Sequence, residues 1–221
     1  MVTRSRSGRS WRRTMLGAEV RRPSNRPPRR VAQSGVAAVE FALVALLFFT
    51  VVFGAIEIAR IMYMYNTLAE VTRSAARAAA NIDWRVTSDL DLAKQRAILR
   101  NSPGGLPFGA PITDQYIRID YLYLKQGTTT TYEPIPAGLM PGSPGRNRQN
   151  CLTNPYGSAT SPSNTCIRIV RARICKPDTD CEAVDYQILI PLLNLGVKLP
   201  MSTTLVSAET LGYHAGDPVS P

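Results

Sequence analysis

The chain contains few of the residues on which enzymes rely. It has one histidine, His214, which lies near the C-terminus among glycine, aspartate and proline. Serines and acidic residues are scattered without a nucleophile motif, and the sequence has no glycine-rich phosphate-binding loop and no metal-ligand cluster. We therefore predict no catalytic residue, no metal site, no cofactor and no enzymatic activity.

Cysteine is also scarce, and the four cysteines all lie in the second half of the chain: Cys151, Cys166, Cys175 and Cys181. No C-x-x-C pair is present, so zinc binding is the minor alternative. Four cysteines allow three disulfide pairings. We favour Cys151 with Cys166 and Cys175 with Cys181, because each bridge would close one local loop. Disulfides imply an oxidising compartment for this part of the chain.

Outside the N-terminal segment, basic residues barely outnumber acidic ones. Residues 1–34 carry ten arginines and one acid, Glu19, and so account for +9 of the net charge of +10. A nucleic-acid-binding domain would normally hold such an excess itself, so we predict no nucleic-acid partner. A nucleic-acid-binding arm is the alternative for this segment. The predicted interpretation of residues 1–35 is a basic, disordered leader that the positive-inside rule retains in the cytoplasm.

Charge is almost missing from residues 36–56, where Glu40 is the one ionisable side chain in a continuous apolar run. A helix needs about 20 such residues to cross a bilayer, and cleaved signal peptides have shorter apolar cores. We predict a single transmembrane helix over residues 36–60. The N-terminus would then be cytoplasmic, and the remainder of the chain would lie on the other side of the membrane.

Glycine and proline are absent from Ile58 to Asn101. Apolar or small residues recur there at steps of three and four, which predicts that the helix continues beyond the membrane. We assign residues 61–101 to this helical continuation, with a second helix from about Ser88 to Arg100. The predicted inner face is Ile58, Ile61, Tyr65, Leu68, Thr72, Ala75 and Ala79.

The pattern of residues 102–221 predicts a β-rich domain that contains the disulfides. Alternation and β-forming residues indicate strands at Tyr116–Lys125, Cys166–Cys175, Tyr186–Leu193 and Thr203–Tyr213. The long stretch from Glu133 to Thr165 has the composition of a loop. Because no helix separates the later strands, we expect an antiparallel sheet. The predicted fold class is α+β, with the long N-terminal transmembrane helix packed on a small antiparallel sheet.

The junction between leader and apolar run has a distinctive order of residues, G-V-A-A-V-E-F, from Gly35 to Phe41. It resembles the processing site of type IV-like prepilins, in which a basic leader ends in glycine and a hydrophobic helix has glutamate at its fifth position. The Glu40-Phe41 pair and the following A-I-E-I-A-R resemble the TadE-like pseudopilins of the tight-adherence, Flp-type pilus. The closing V-S-A-E-T-L around Glu209 is also similar to that family. Proline, frequent soon after the Glu-Phe pair, is missing here.

This resemblance implies a minor, pilin-like subunit of a tight-adherence pilus assembly and secretion system. A prepilin peptidase would cut after Gly35, and the new amine of Val36 would be neutralised by Glu40 of a neighbouring subunit. The expected partners are that peptidase, other pilin and pseudopilin subunits, the inner-membrane assembly platform and the lipid bilayer. The expected location is the inner membrane, with the C-terminal domain periplasmic or extracellular, or the pilus itself. The alternative is a permanently anchored, single-span periplasmic binding protein.

Glu57 and Arg60 lie three positions apart, just beyond the apolar run. An ion pair at this spacing contributes about 0.2–0.5 kcal/mol on an exposed helix. We predict that these two residues mark the membrane boundary rather than carry a function. Tyr63 and Tyr65 fit an aromatic belt at the same level.

Overall fold

The structure is a computed structural model that describes residues 34–156, 160–189 and 196–217. The chain divides into two units between residues 46 and 47. Of the first unit, residues 34–46 are described. The predicted leader therefore lies outside the described residues up to position 33.

The first helix, α1, runs from Ser34 to Ala79 without interruption. Its sequence explains this length, because the segment has no proline and is rich in alanine, leucine and other helix-forming residues. The predicted continuation beyond the apolar run is confirmed. After Ala79 the backbone turns, and the side-chain amide of Asn81 donates to the carbonyl of Arg77 at 3.1 Å.

The inner face of α1 differs in its first turns from the predicted one. Leu68, Thr72, Ala75 and Ala79 are buried as predicted, but Ile58 and Tyr65 are exposed. Burial begins with Glu57 and Met64, and the neighbouring positions Val71 and Ala76 widen the buried face. The predicted spacing of three and four residues was correct, but such a spacing does not show at which residue of the helix burial begins.

The second helix, α2, spans Thr87–Ala97. It ends three residues before the predicted boundary, because Leu99 adopts a left-handed backbone with φ of 64°. A peptide bond in the cis form joins Ala110 to Pro111 in the loop that follows. A short 3₁₀ turn at Asp114–Tyr116 leads into the sheet.

Within the described ranges, four strands form one antiparallel sheet in the order β2-β1-β3-β4. The strands are β1 (Ile117–Lys125), β2 (Thr131–Pro134), β3 (Ile169–Ile174) and β4 (Thr203–Ser207). In register, Ile117 lies opposite Ile174, and Ile169 lies opposite Ser207. The α+β class with a small antiparallel sheet is confirmed.

The structure has two elements that were not predicted, and it lacks part of one predicted strand. Strand β2 and a third helix, α3 (Pro144–Thr153), lie where we expected a loop. The sequence did hold a signal for α3, because serine followed by proline is typical of a helix start. In the structure Ser143 accepts a hydrogen bond from the Arg146 N–H, and Pro144 occupies the first helical position. The predicted strand Tyr186–Leu193 is wrong over 186–189, which carry no strand. Its remainder lies outside the described residues.

The second half of α1 packs on one face of the sheet. Met64, Leu68 and Val71 share a buried hydrophobic cluster with Ile117 and Ile174. Close approach is possible because the later turns of α1 present alanines, and the hydroxyls of Thr72 and Thr204 lie 2.9 Å apart. Burial of apolar surface on this scale, at about 25 cal/mol per Å², is the main stabilising term for such a domain.

The segment after β4 returns to the carboxyl end of α1. The N–H groups of Glu209 and Leu211 both donate to the carbonyl of Ala80, at 3.2 and 3.0 Å. Gly212 follows with φ of 78°, and a Cβ atom there would lie 2.7 Å from the backbone nitrogen of Asp83. This contact requires glycine, both for the left-handed backbone and for the space.

The opposite face of the sheet carries a charged cluster centred on Asp120. Its carboxylate accepts hydrogen bonds from Arg171 and Arg173 on β3, with the nearest nitrogen at 2.7 Å. Arg118 on the same strand also reaches it, at 3.2 Å. The alternation of β3, which buries Val170, Ala172 and Ile174, turns both β3 arginines to this face.

Candidate functional site

The amino-terminal end of α1 contains the four predicted processing residues, Gly35, Val36, Glu40 and Phe41. All four lie in helix and are exposed. Val36 is 70% and Phe41 74% exposed, so this end of the helix leaves large apolar side chains without cover in the single chain. Helices that are apolar and uncovered are expected in lipid or against other helices.

Gly35 has no structural reason to be glycine in this fold. A Cβ atom placed there would meet nothing within 4 Å, and its φ is not in the left-handed region. Glycine inside a helix costs about 1 kcal/mol relative to alanine. The choice of glycine is therefore not explained by packing within the chain.

Glu40 is exposed on the helix and forms no ion pair with any residue in the described ranges. Its neighbours Val39, Leu43 and Val44 are more than half exposed. An isolated carboxylate on an apolar surface is costly in hydrocarbon, and such a group usually has a partner there.

The helix over Gly35–Ala79 is long and apolar enough to cross a membrane, and none of its most apolar stretch is buried within the protein. Phe48, Phe49 and Val51 remain at least half exposed. This differs from the core helix of a soluble domain, in which such residues are covered. The helix is thus compatible with a single-pass anchor.

A buried polar network occupies the turn that follows the apolar run. The sequence predicted only a pair of residues, Glu57 and Arg60, that marks the membrane boundary. Glu57 is 1% exposed. Its Oε1 accepts hydrogen bonds from the Tyr186 hydroxyl at 2.6 Å and from the Leu189 N–H at 3.2 Å. The nearest nitrogen of Arg60 lies 3.6 Å away, and Oε2 has no hydrogen-bond partner among the described residues.

Arg60 connects this network to two loops. It donates to the carbonyls of Phe108, Ala110 and Gln187, at distances between 2.6 and 3.0 Å. It also donates to the Tyr186 hydroxyl at 2.9 Å, and its guanidinium lies over the Tyr186 ring at 5.0 Å from the centroid. The planar, multiply donating guanidinium is suited to this role. One side chain thus fixes the 108–110 and 186–187 segments against α1.

Tyr186 completes the network from the loop side. Burial, together with the hydrogen bond to Glu57, raises the pKa of its hydroxyl to about 12. The hydroxyl is therefore protonated at physiological pH and can donate to Glu57 while accepting from Arg60. No local sequence signal joins Tyr186 to Glu57, since they lie 129 positions apart.

The structure joins Cys151 to Cys166 and Cys175 to Cys181, the pairing that the loop argument favours. The first bridge ties α3 to the segment that enters β3. The second closes the turn directly after β3. In the described parts of the chain, no group of three or more His, Cys, Asp and Glu side chains could hold a metal ion.

The comparison with protein families gives a match to the model described as "TadE-like protein", over residues 35–77. The apolar helix is therefore similar to this family over residues 35–77. The matched range begins at the glycine of the predicted junction and includes Glu40, Phe41, Glu57 and Arg60. It covers about a fifth of the 221 residues. No curated protein and no solved structure gave a significant match to the chain.

The TadE-like match confirms the family resemblance of the helix. The match ends at Arg77, near the end of α1, so the disulfide-bearing domain lies beyond it.

Proposed function

We propose that this protein is a membrane-anchored minor pseudopilin of a tight-adherence pilus assembly and secretion system. The observation that carries the proposal is the TadE-like helix, which is preceded by an arginine-rich leader and exposes its apolar surface. A bulk filament subunit would need little beyond this helix. The large domain after residue 80 favours a minor role, such as capping or initiating the filament.

The processing step follows from the junction. A prepilin peptidase cuts after Gly35, and Val36 becomes the first residue of the mature chain. The exposure of this segment leaves it accessible, and the absence of any packing demand for glycine at position 35 supports recognition by an enzyme as the reason for the residue. The arginines of the leader hold it in the cytoplasm until the cut.

Assembly then depends on Glu40. In a bundle of parallel helices, the carboxylate of one subunit neutralises the Val36 amine of another. The lack of an ion pair for Glu40 within the described chain leaves it available for that partner. The exposed apolar residues of α1 supply the packing surface, and the assembly platform and the bilayer are the surroundings in which it forms.

The test is N-terminal sequencing of the protein extracted from membranes of cells that contain the peptidase. We expect a chain that begins at Val36. The variant Gly35→Leu should accumulate as a slower-migrating precursor, whereas Gly54→Ala, also a helical glycine with open space around it, should be processed normally. An intact leader on the wild-type chain would refute the proposal and favour a permanently anchored periplasmic binding protein.

A further inference from the structure

An apolar groove of about 460 Å³ lies beside α1 and begins where the apolar run ends. Ile56, Ala59 and Tyr63 form the helix side of this groove, and Leu106, Phe108 and Leu189 form the loop side. The groove is thus bounded by the helix and by the two loop segments that Arg60 holds.

Two large side chains stand out from the loop side. Phe108 is 86% exposed and Leu189 is 64% exposed. Neither position is loosely placed, because the Phe108 carbonyl accepts from Arg60 and the Leu189 N–H donates to Glu57. The Tyr63 hydroxyl also donates to the carbonyl of Pro107, at 3.1 Å. The buried polar network therefore holds the backbone of Phe108 and Leu189 in place while their apolar side chains stay exposed.

The surface around the groove continues that of the apolar run. Val51, Ile56, Ile58 and Met62 on α1 are each at least 48% exposed. The two charged residues of these turns face inward, since Glu57 is 1% and the Arg60 side chain 11% exposed. Ile58 and Met62 thus extend the uncharged surface of α1 beyond Glu57, the charged residue that directly follows the apolar run.

The level of the groove coincides with the edge of the hydrocarbon. Residues 36–56 in a helix rise about 31 Å, close to the thickness of a bilayer core of about 30 Å. Ile56, the last residue of that run, lines the groove. Tyrosine, the residue at position 63, is favoured at the headgroup level of a membrane. Phenylalanine and leucine, the residues at positions 108 and 189, are common on apolar faces that lie in the interface.

We propose that Phe108 and Leu189 are a second membrane contact, which inserts into the interfacial layer of the bilayer that α1 spans, with lipid acyl chains in the groove. This inference rests on the proposed membrane anchoring. Lipid is the occupant that the position selects, because the groove opens beside a helix surface that is already apolar and uncovered. The contact would hold the domain close to the membrane instead of leaving it on a free helix.

The test uses the full chain, reconstituted in two sets of phosphatidylcholine vesicles. One set contains lipids brominated near the headgroup, and the other contains lipids brominated near the ends of the acyl chains. Trp11 and Trp84 are replaced by phenylalanine, and one tryptophan is introduced at a time. The probes are Phe108→Trp and Leu189→Trp, with Leu47→Trp inside the span and Tyr132→Trp, 52% exposed on β2, as the aqueous control. Equal thermal unfolding of the four variants shows that each is folded.

We expect the headgroup bromines to quench Phe108→Trp and Leu189→Trp, since interfacial groups lie about 5–10 Å into the headgroup boundary. Tyr132→Trp should be unaffected. Quenching at Leu47 without quenching at Phe108 and Leu189 overturns the second contact but leaves the anchor intact. Absence of quenching at Leu47 by the bromines at the acyl-chain ends overturns the anchor itself. Unquenched Phe108→Trp emission that shifts to longer wavelength on dilution with lipid would assign the groove to a second copy and overturn the lipid contact.

Discussion

The hydroxyl of Tyr186 donates a 2.6 Å hydrogen bond to Glu57 Oε1 across 129 positions of sequence. The bond brings a loop between β3 and β4 onto the turn of α1 that follows the apolar run. Because Glu57 is buried and its other oxygen has no hydrogen-bond partner in the described chain, the carboxylate depends on few donors. Removing one donor from a buried charged group is costly.

Tyr186→Phe should lower the free energy of unfolding by about 1.5–3 kcal/mol, the range for a hydrogen bond to a charged group. The ring and its packing remain, so the change isolates the hydroxyl. Thermal unfolding of the full chain in detergent measures the effect. The matched control is Tyr132→Phe on an exposed strand, which should leave unfolding unchanged. Equal transitions for both variants would contradict a stabilising role for the network.

The same tyrosine predicts a pH dependence. Its pKa is about 12 in the fold, above the ordinary value of 10.0, chiefly because of burial. Below pH 10 both the folded and the unfolded chains hold the proton, so this stabilisation is fully present. As the pH rises from about 10 to about 12, the unfolded chain loses the proton first and stability falls. The wild-type melting temperature should therefore fall more steeply over this range than that of Tyr186→Phe. Parallel curves would refute the assignment.

Asp120 forms ion pairs with three arginines on the outer face of the sheet. Asp120→Asn keeps the shape but leaves those cations facing one another, and we expect a loss of about 2 kcal/mol, typical of hydrogen bonds to a charged group. Chemical denaturation measures it. Glu133→Gln, which breaks the exposed pair with Lys125, is the control and should have a much smaller effect. A larger loss of unfolding free energy for Glu133→Gln than for Asp120→Asn would contradict the greater contribution that we expect from the less exposed ion pairs.

The two disulfides can be separated by their loops. The Cys151–Cys166 bridge spans 15 positions and the Cys175–Cys181 bridge spans 6. On the chain-entropy account, their removal by paired alanine substitution should cost about 3 and about 2 kcal/mol, respectively. Peptide mass mapping without reduction should recover both pairs from exported protein. Free thiols would contradict the oxidising compartment, and crossed pairs would contradict the connectivity.

Glu40→Ala distinguishes assembly from anchoring. Loss of an interfacial carboxylate alone should be harmless to membrane insertion. If Glu40 neutralises the Val36 amine of a neighbour, the change leaves that amine unpaired, and breaking a buried pair from one side costs about 3–5 kcal/mol. We expect normal insertion and leader removal, with loss of co-purification with other pilus subunits. Normal assembly of this variant would favour the anchored binding protein.

Local sequence was sufficient for the parts of the molecule that depend on local physics. The apolar run and the absence of proline from α1 predict a continuous helix, since helix formation is set by nearby residues. The junction at Gly35–Phe41 likewise carries its family resemblance in consecutive residues. The strand pattern of β1, with Ile117 on the inner face, predicted the sheet. The cysteine spacing favoured the pairing that the structure has.

Only the tertiary structure decided which residues of α1 are covered and where the short elements lie. Strand β2 is four residues long and depends on pairing with β1. Glu57 and Arg60 show the physical reason most directly. Their spacing on a helix predicts a weak surface pair, but loops more than 40 positions away bury the pair and supply its hydrogen bonds. Such partners are set by chain topology, which no local pattern encodes.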